Sequence, residues 1–208
     1  MTTYKDGRRI LSAPLSEDDL RALHVGDIFY LSGMLTTGRD AVHRRVVEEG
    51  RALPADLRGG VLLHAGPIVR KREDGGWDMV SIGPTTSMRM EKFEAAFVET
   101  TGVRLIIGKG GMGDATSKAC RDFGCVHCVM PAGCAVAAAV CVEEIERVDW
   151  LDLGMPEALW TCRVKDFGPL IVSIDAGGSN YFAAKSREYR LRRDEQLALL
   201  AARFNFRE

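Results

Sequence analysis

The chain lacks any run long and apolar enough to cross a bilayer. Its first residues, Met1-Thr2-Thr3-Tyr4-Lys5-Asp6, carry no apolar signal-peptide core. It also lacks a dominant charge: the formal net charge is −1 over 208 residues, which argues against broad nucleic-acid or membrane-surface binding. Six cysteines in a chain of this size do not make a disulfide framework, so reduced thiols in a cytoplasm are expected. No internal repeat is visible. Two nucleotide signatures are incomplete. Gly108-Lys109-Gly110-Gly111-Met112-Gly113 matches GxGxxG after a strand, but the next strand ends in Met130-Pro131, with no acid to hold a ribose. No Gly-Lys is followed by Ser or Thr, so a Walker A loop fails as well. Cys125-Val126-His127-Cys128 has CxxC spacing, but a zinc site needs a second pair of ligands and none is clear. Small buried hydrophobes are the plainer reading of these thiols.

What is present is an alternation of strands and helices, with strands crowding the last third. That pattern predicts a mixed α/β fold with more than one sheet. The length fits one domain, 1–208, with a basic, then apolar helix from about Ser186 to Phe204. Leu11 to Pro14 reads as an extended entry. Ser16-Glu17-Asp18-Asp19 reads as a helix start with Ser16 as N-cap, and Gly26 as its stop. Strands are expected at Asp27–Ser32, ending at Gly33, and at Val61–Pro67, Trp77–Ile82, Val103–Ile107 and Val126–Met130. Two more are expected at Leu159–Val164 and Leu170–Asp175, with Asp166-Phe167-Gly168-Pro169 between them. Lys71 to Gly76 is a hairpin tip. Cys134 to Cys141 suits a buried helix start, and Pro156-Glu157-Ala158 a short helical turn. Glu143 to Trp150 fits an edge strand or a helix.

Three strand ends share one device, a glycine turn with polar groups and a cation. At the first, Met34-Leu35-Thr36-Thr37-Gly38-Arg39-Asp40 leads into a helix. Asp40 is placed to hold a guanidinium near the helix dipole, and His43 to support Asp40; a surface ion pair of little consequence is the alternative. At the second, Gly83-Pro84-Thr85-Thr86-Ser87-Met88-Arg89-Met90 sets three hydroxyls and Arg89 at a helix start, where unpaired N–H groups attract anions. A simple cap with Arg89 in water explains that stretch equally well. The third is Lys109 in its glycine turn, a good place for a carboxylate or enolate oxygen. His64, in an apolar run, reads as a satisfied core residue. Ligands of α/β proteins collect at strand ends, and three cations there would suit a dicarboxylate.

These stretches, together with His64-Ala65-Gly66-Pro67, Pro131-Ala132-Gly133-Cys134 and Phe167-Gly168-Pro169-Leu170-Ile171-Val172-Ser173-Ile174-Asp175, resemble the iron–sulfur class I fumarase/tartrate dehydratase family. The likeness is to its beta subunit, from about Leu11 to Asn180. Val69-Arg70-Lys71 and Leu153-Gly154-Met155-Pro156-Glu157-Ala158-Leu159-Trp160 look closest to the tartrate branch. The resemblance implies a swivelling β/β/α three-layer domain with a mixed sheet and a second small sheet. It implies a separate alpha subunit carrying a 4Fe–4S cluster on its own cysteines, an α2β2 assembly, and no metal bound by this chain. Carried over by position, Arg39, Thr85, Arg89 and Lys109 bind the substrate, with Thr85 and Lys109 catalytic and Asp40, His43, Thr86 and Ser87 in support. The implied activity is dehydration of L(+)-tartrate to oxaloacetate, with fumarate/malate hydration as the alternative. A regulatory module that binds dicarboxylates without catalysis is a rival of another class.

Overall fold

The computed structural model describes residues 2–204; Met1 and positions 205–208, which the sequence reading counted in the domain, lie outside the described residues. The chain order is β1 (Thr2–Lys5), β2 (Arg8–Ser12), α1 (Glu17–Arg21), β3 (Ile28–Thr37), α2 (Asp40–Val47), β4 (Val61–Leu63), β5 (Ile68–Lys71) and β6 (Trp77–Ser81). There follow α3 (Glu91–Thr101), β7 (Leu105–Gly108), α4 (Asp114–Phe123), β8 (Val126–Val129), α5 (Ala135–Ala139), β9 (Val142–Asp149), β10 (Leu159–Ile174) and α6 (Tyr181–Phe204).

Alternating apolar residues build the centre. Val61, Leu63, Leu105 and Ile107 join one buried cluster, while their neighbours Leu62 and Ile106 join another. A period of two sends successive side chains to opposite faces, so both faces of β4 and β7 are covered. The first cluster also takes Val69 and Ile82 from the β5–β6 hairpin region and Ala138 and Ala139 from α5. The second takes Val42 and Val46 of α2, Phe97 and Val98 of α3, and Cys120 of α4. The result is three layers: small sheet, main sheet, helices.

The main sheet has eight strands in the order β1-β2-β3-β4-β7-β8-β10-β9, and β5-β6 forms a second, two-stranded sheet. Strands β2, β3, β4, β7 and β8 run parallel to one another. β10 runs antiparallel to β3, β8 and β9, so β3, β4, β7, β8 and β10 form a closed circuit. The mixed α/β fold with a second small sheet is thus as expected. No helix among the described residues is long and apolar enough to cross a membrane.

Several local expectations change. β3 runs through Gly33 instead of ending there, because φ is +107° and a side chain would lie 2.7 Å from the Ala13 carbonyl oxygen. The two last strands are one, β10, with register shifts around Phe167 that absorb Asp166 to Pro169 as bulges. Glu143 to Asp149 is strand, the edge strand β9. The N-terminal β1–β2 hairpin was not read from the sequence. In α5, Ala138 and Ala139 are buried but Val136 faces outward, as does Val140 just past the helix end, so this helix is only half covered. Residues 156–158 form a turn, and the neighbouring 3₁₀ turn is at Leu151–Leu153. The Ser16 cap holds as a reciprocal capping box with Asp19, but α1 closes at Ala22, before Gly26. α6 begins at Tyr181, earlier than Ser186, since Asn180 accepts from the Ala183 N–H at 3.1 Å.

Candidate functional site

The site is built where β3, β4 and β7 end side by side. After β3, Gly38 donates its N–H to the Leu63 carbonyl at 3.0 Å, tying the β3 turn to β4. Arg39 follows as the N-cap residue of α2, and its Nε lies 2.6 Å from Glu157 Oε1. The other Glu157 oxygen accepts from the Ala41 N–H at 3.0 Å. One carboxylate therefore caps α2 and aims Arg39. Gly66 matters here. A side chain on it would lie 2.7 Å from both the Arg39 guanidinium and the Pro156 carbonyl oxygen.

Beyond β4, the strand-end segment is stitched on both sides. The Thr85 N–H donates to the His64 carbonyl at 2.6 Å, and the Lys109 N–H to the Thr85 carbonyl at 3.0 Å. The Ser87 N–H returns to the Lys109 carbonyl at 3.0 Å. Ser87 is buried and its Oγ lies 3.1 Å from His64 Nδ1. Gly108 permits this, because a Cβ there would sit 1.8 Å from Ser87 Oγ. Thr85 and Lys109 remain half-buried, and Thr86 and Arg89 are exposed. Arg89 grips Asp40 with two hydrogen bonds, of 3.1 and 2.5 Å. Burial raises the Asp40 carboxyl, but the Arg89 bonds and the nearby Arg39 charge outweigh it and hold the group below its ordinary range.

So Arg39, Asp40, Thr85, Thr86, Ser87, Arg89 and Lys109 occupy adjoining turns at one end of the parallel strands. Two details differ from expectation. The hydroxyls are not at an α-helix start: Ser87–Met90 is a 3₁₀ turn, α3 begins at Glu91, and the Thr85 and Ser87 N–H groups are already used. In that stretch Arg89, not an α-helix N-terminus, supplies the positive charge. His43 does not support Asp40. It turns inward, donating from Nδ1 to the Arg39 carbonyl at 2.9 Å, stacks on Phe97 and sets Nε2 3.3 Å from Glu94.

The sequence reading missed Glu157, Glu94 and Asn180. Asn180 donates to the Met112 carbonyl at 3.0 Å and to Ser117 at 2.9 Å, while Phe182 lies against Gly111, so the start of α6 braces the Lys109 loop. Pro156-Glu157 was visible as a turn, but nothing local ties it to a residue 116 positions earlier.

Four of the six cysteines are poorly suited to an iron–sulfur cluster. Cys120, Cys125, Cys128 and Cys162 are buried free thiols, and burial pushes the Cys125 and Cys128 thiols well up and Cys162 to about 12. A cluster needs thiolates, and these sites disfavour them.

A family model described as "Fumarase C-terminus" matches residues 3–185. The chain is 56% identical over 187 residues to the L(+)-tartrate dehydratase subunit beta of Escherichia coli, covering 90% of this chain and 92% of that one. It is 41% identical over 189 residues to the putative L(+)-tartrate dehydratase subunit beta of Methanocaldococcus jannaschii, covering 89% and 96%. It is 40% identical over 170 residues to a putative fumarate hydratase class I of Geobacillus stearothermophilus, covering 82% of this chain and 32% of that one.

Proposed function

Since this chain belongs to the fumarase C-terminus family, we propose that it is the beta subunit of a hydro-lyase that dehydrates L(+)-tartrate. The observation that carries the reading is the stitched shelf, with Thr85 hydrogen-bonded by its backbone between His64 and Lys109 and flanked by the turns of Arg39 and Arg89. In this reading residues 1–208 act as one domain that closes over the substrate in a cytoplasmic α2β2 assembly. A 4Fe–4S cluster on the partner alpha chain supplies Lewis-acid chemistry for the departing hydroxyl. This chain's residues do the rest. Arg39 and Arg89 hold the carboxylates, for which a planar guanidinium offers paired donors. Thr85 takes the proton from the carbon next to the one losing hydroxide. Lys109 stabilises the aci-carboxylate that forms as that proton leaves. Loss of one water gives the enol of oxaloacetate, which becomes the ketone. Thr is a weak base at its free pKa, so its role depends on the neighbouring cations and on exclusion of water.

The same cations would serve malate and fumarate, and similarity to the Geobacillus protein gives that alternative its support. An anaerobic assay of the co-expressed pair on tartrate, malate and mesaconate decides between them. We expect tartrate to be turned over fastest, and only with both chains present. We expect Thr85→Ser to retain part of the activity and Thr85→Ala to lose nearly all. A pair that is colourless and inactive on all three would leave only a dicarboxylate-binding module.

A further inference from the structure

Under the shelf lie three side chains of zero exposure: His43 of α2, Glu94 of α3 and His64 after β4. The Nε2 atoms of both histidines lie 3.3 Å from the same oxygen, Glu94 Oε2. No hydrogen-bond partner of regular geometry is assigned to those atoms or to Glu94 Oε1 among the described residues. The outer nitrogens are engaged. His43 Nδ1 faces the Arg39 carbonyl, and His64 Nδ1 faces Ser87 Oγ.

Counting protons constrains the charge. A carbonyl only accepts, so His43 Nδ1 carries hydrogen. If His43 were neutral, its Nε2 lone pair would point at a carboxylate, and the cluster would bury a net negative charge. Burial without water tolerates neither. One more proton between His43 Nε2 and Glu94 Oε2 removes both problems. His64 then stays neutral, with hydrogen on Nε2 for Glu94 and a lone pair on Nδ1 for the Ser87 hydroxyl. The shifts at His64 and Glu94 run in the matching directions. Burial lowers the His64 affinity for a proton more than Glu94 restores it. Burial raises Glu94, but the facing imidazoles outweigh that and hold its carboxyl below the ordinary range. The other titratable groups bearing on the cluster are Asp40, His127 and Cys125. Burial drives His127 down to about 3 and pushes the Cys125 thiol up, so both are neutral, while Asp40 is already taken by Arg89. A metal ion would find three ligand atoms here but no fourth among the described residues, and no opening.

We propose that His43, Glu94 and His64 form a proton-bridged positioning unit, which locks the turn carrying Arg39 to the turn carrying Thr85 and Ser87. The proton assignment stands on this chain alone; its consequence for turnover rests on the hydro-lyase reading. The two arms of the unit end on different jobs. His43 holds the Arg39 carbonyl, which serves binding. His64 holds Ser87 in the stitched segment, which serves proton removal.

Two measurements test this. Long-range proton–nitrogen spectra of the full chain at pH 7.5 should show His43 protonated on both ring nitrogens and His64 neutral with hydrogen on Nε2. Glu94→Gln should turn His43 into a neutral Nδ1–H ring. A neutral His43 in the wild type, or about one equivalent of tightly held metal that Glu94→Gln removes, overturns the assignment whatever the enzyme acts on. In the assembled pair, His43→Gln should raise KM about tenfold with a smaller loss of kcat, and Ser87→Ala should lower kcat about tenfold with a smaller change in KM. Equal effects on both constants, or none, overturn the positioning role. If the pair turns over none of the substrates while the spectra match, the hydro-lyase reading fails and the proton bridge stands.

Discussion

The rim of the shelf and its floor use charge in opposite ways. On the rim, Arg39 pairs with Glu157 and Arg89 with Asp40 in partly open surroundings, and Lys109 has no carboxylate within ion-pair distance among the described residues. On the floor, His43, Glu94, His64 and His127 are shut away from solvent. Exposed ion pairs stabilise a fold by roughly 0–1 kcal/mol, so the rim pairs aim side chains more than they hold the protein together. Breaking a buried pair by removing one partner costs about 3–5 kcal/mol, so the floor is a matter of stability. Substitutions should therefore separate: activity moves at the rim, and folding and its acid sensitivity move at the floor.

Lys109 should give the widest separation. Its ammonium has no carboxylate partner among the described residues, and in the proposed reaction it meets the anion that forms as the proton leaves. Lys109→Met in the assembled pair should lower kcat by about 10³-fold, the upper range for losing one stabilising donor. The denaturation midpoint of the chain should barely move. A large fall in stability with modest loss of turnover would mean that Lys109 belongs to the framework and would erase the distinction.

The floor has its own signature in acid. His127 sits between β7 and β10 with Nδ1 2.6 Å from Ser173 Oγ, and His64 and Glu94 are the charged or titratable groups nearest it. Burial lowers it to about 3. The folded state then binds its proton later than the unfolded chain, whose ordinary histidine titrates near 6.5. Stability is fully present above the unfolded value and is lost as pH falls from there towards the folded one. Between pH 7.5 and 5 the loss should be about 2 kcal/mol from this residue. Urea titrations across that range should show the slope, and His127→Gln should flatten it in part, since the lowered His64 adds a slope of the same sign. The charged His43 of the proton-bridged unit contributes a slope of the opposite sign, so the readout is the difference between the two chains: wild-type and His127→Gln curves of equal slope would show that His127 exchanges protons with water freely.

Much of the rim was legible in the sequence, and little of the floor. Arg39, Arg89 and Lys109 each follow a strand and a glycine turn, and strand ends are local features. The capping box at Ser16 is local too. Tertiary pairing was not legible. His43 lies three residues from Asp40, which suggested a mutual contact. The helix instead buries His43 with Val42 and Val46 and leaves Asp40 at its first turn facing Arg89. Glu157 and Glu94 became visible only when distant strands met. Gly33 and the β10 bulges mislead for a related reason: a glycine that ends many strands here lets one pass close to Ala13.

Glu157 tests whether aim matters as much as charge. Glu157→Gln keeps the size and the N–H acceptor for Ala41 but removes the ion pair to Arg39. KM for the dicarboxylate should rise about tenfold, equal to about 1.4 kcal/mol of lost binding, with kcat little changed. A tighter KM would show instead that Glu157 competes with the substrate for Arg39.

Asp40 should give the smallest effect, and it probes the rim at its most exposed. Its side chain is 42% open and that of Arg89 47%, so water screens the pair. Asp40→Asn keeps one acceptor for the guanidinium and removes the charge. Stability should change by less than about 1 kcal/mol. Arg89 would then spend part of its time out of position, so KM should rise about two- to fivefold, and the rise should shrink at high salt, where the wild-type pair is itself weakened. If Asp40→Asn unfolds the chain, or raises KM as much as losing Arg89 itself, Asp40 is no mere guide for that arginine, and rim and floor would have to be treated as one coupled unit.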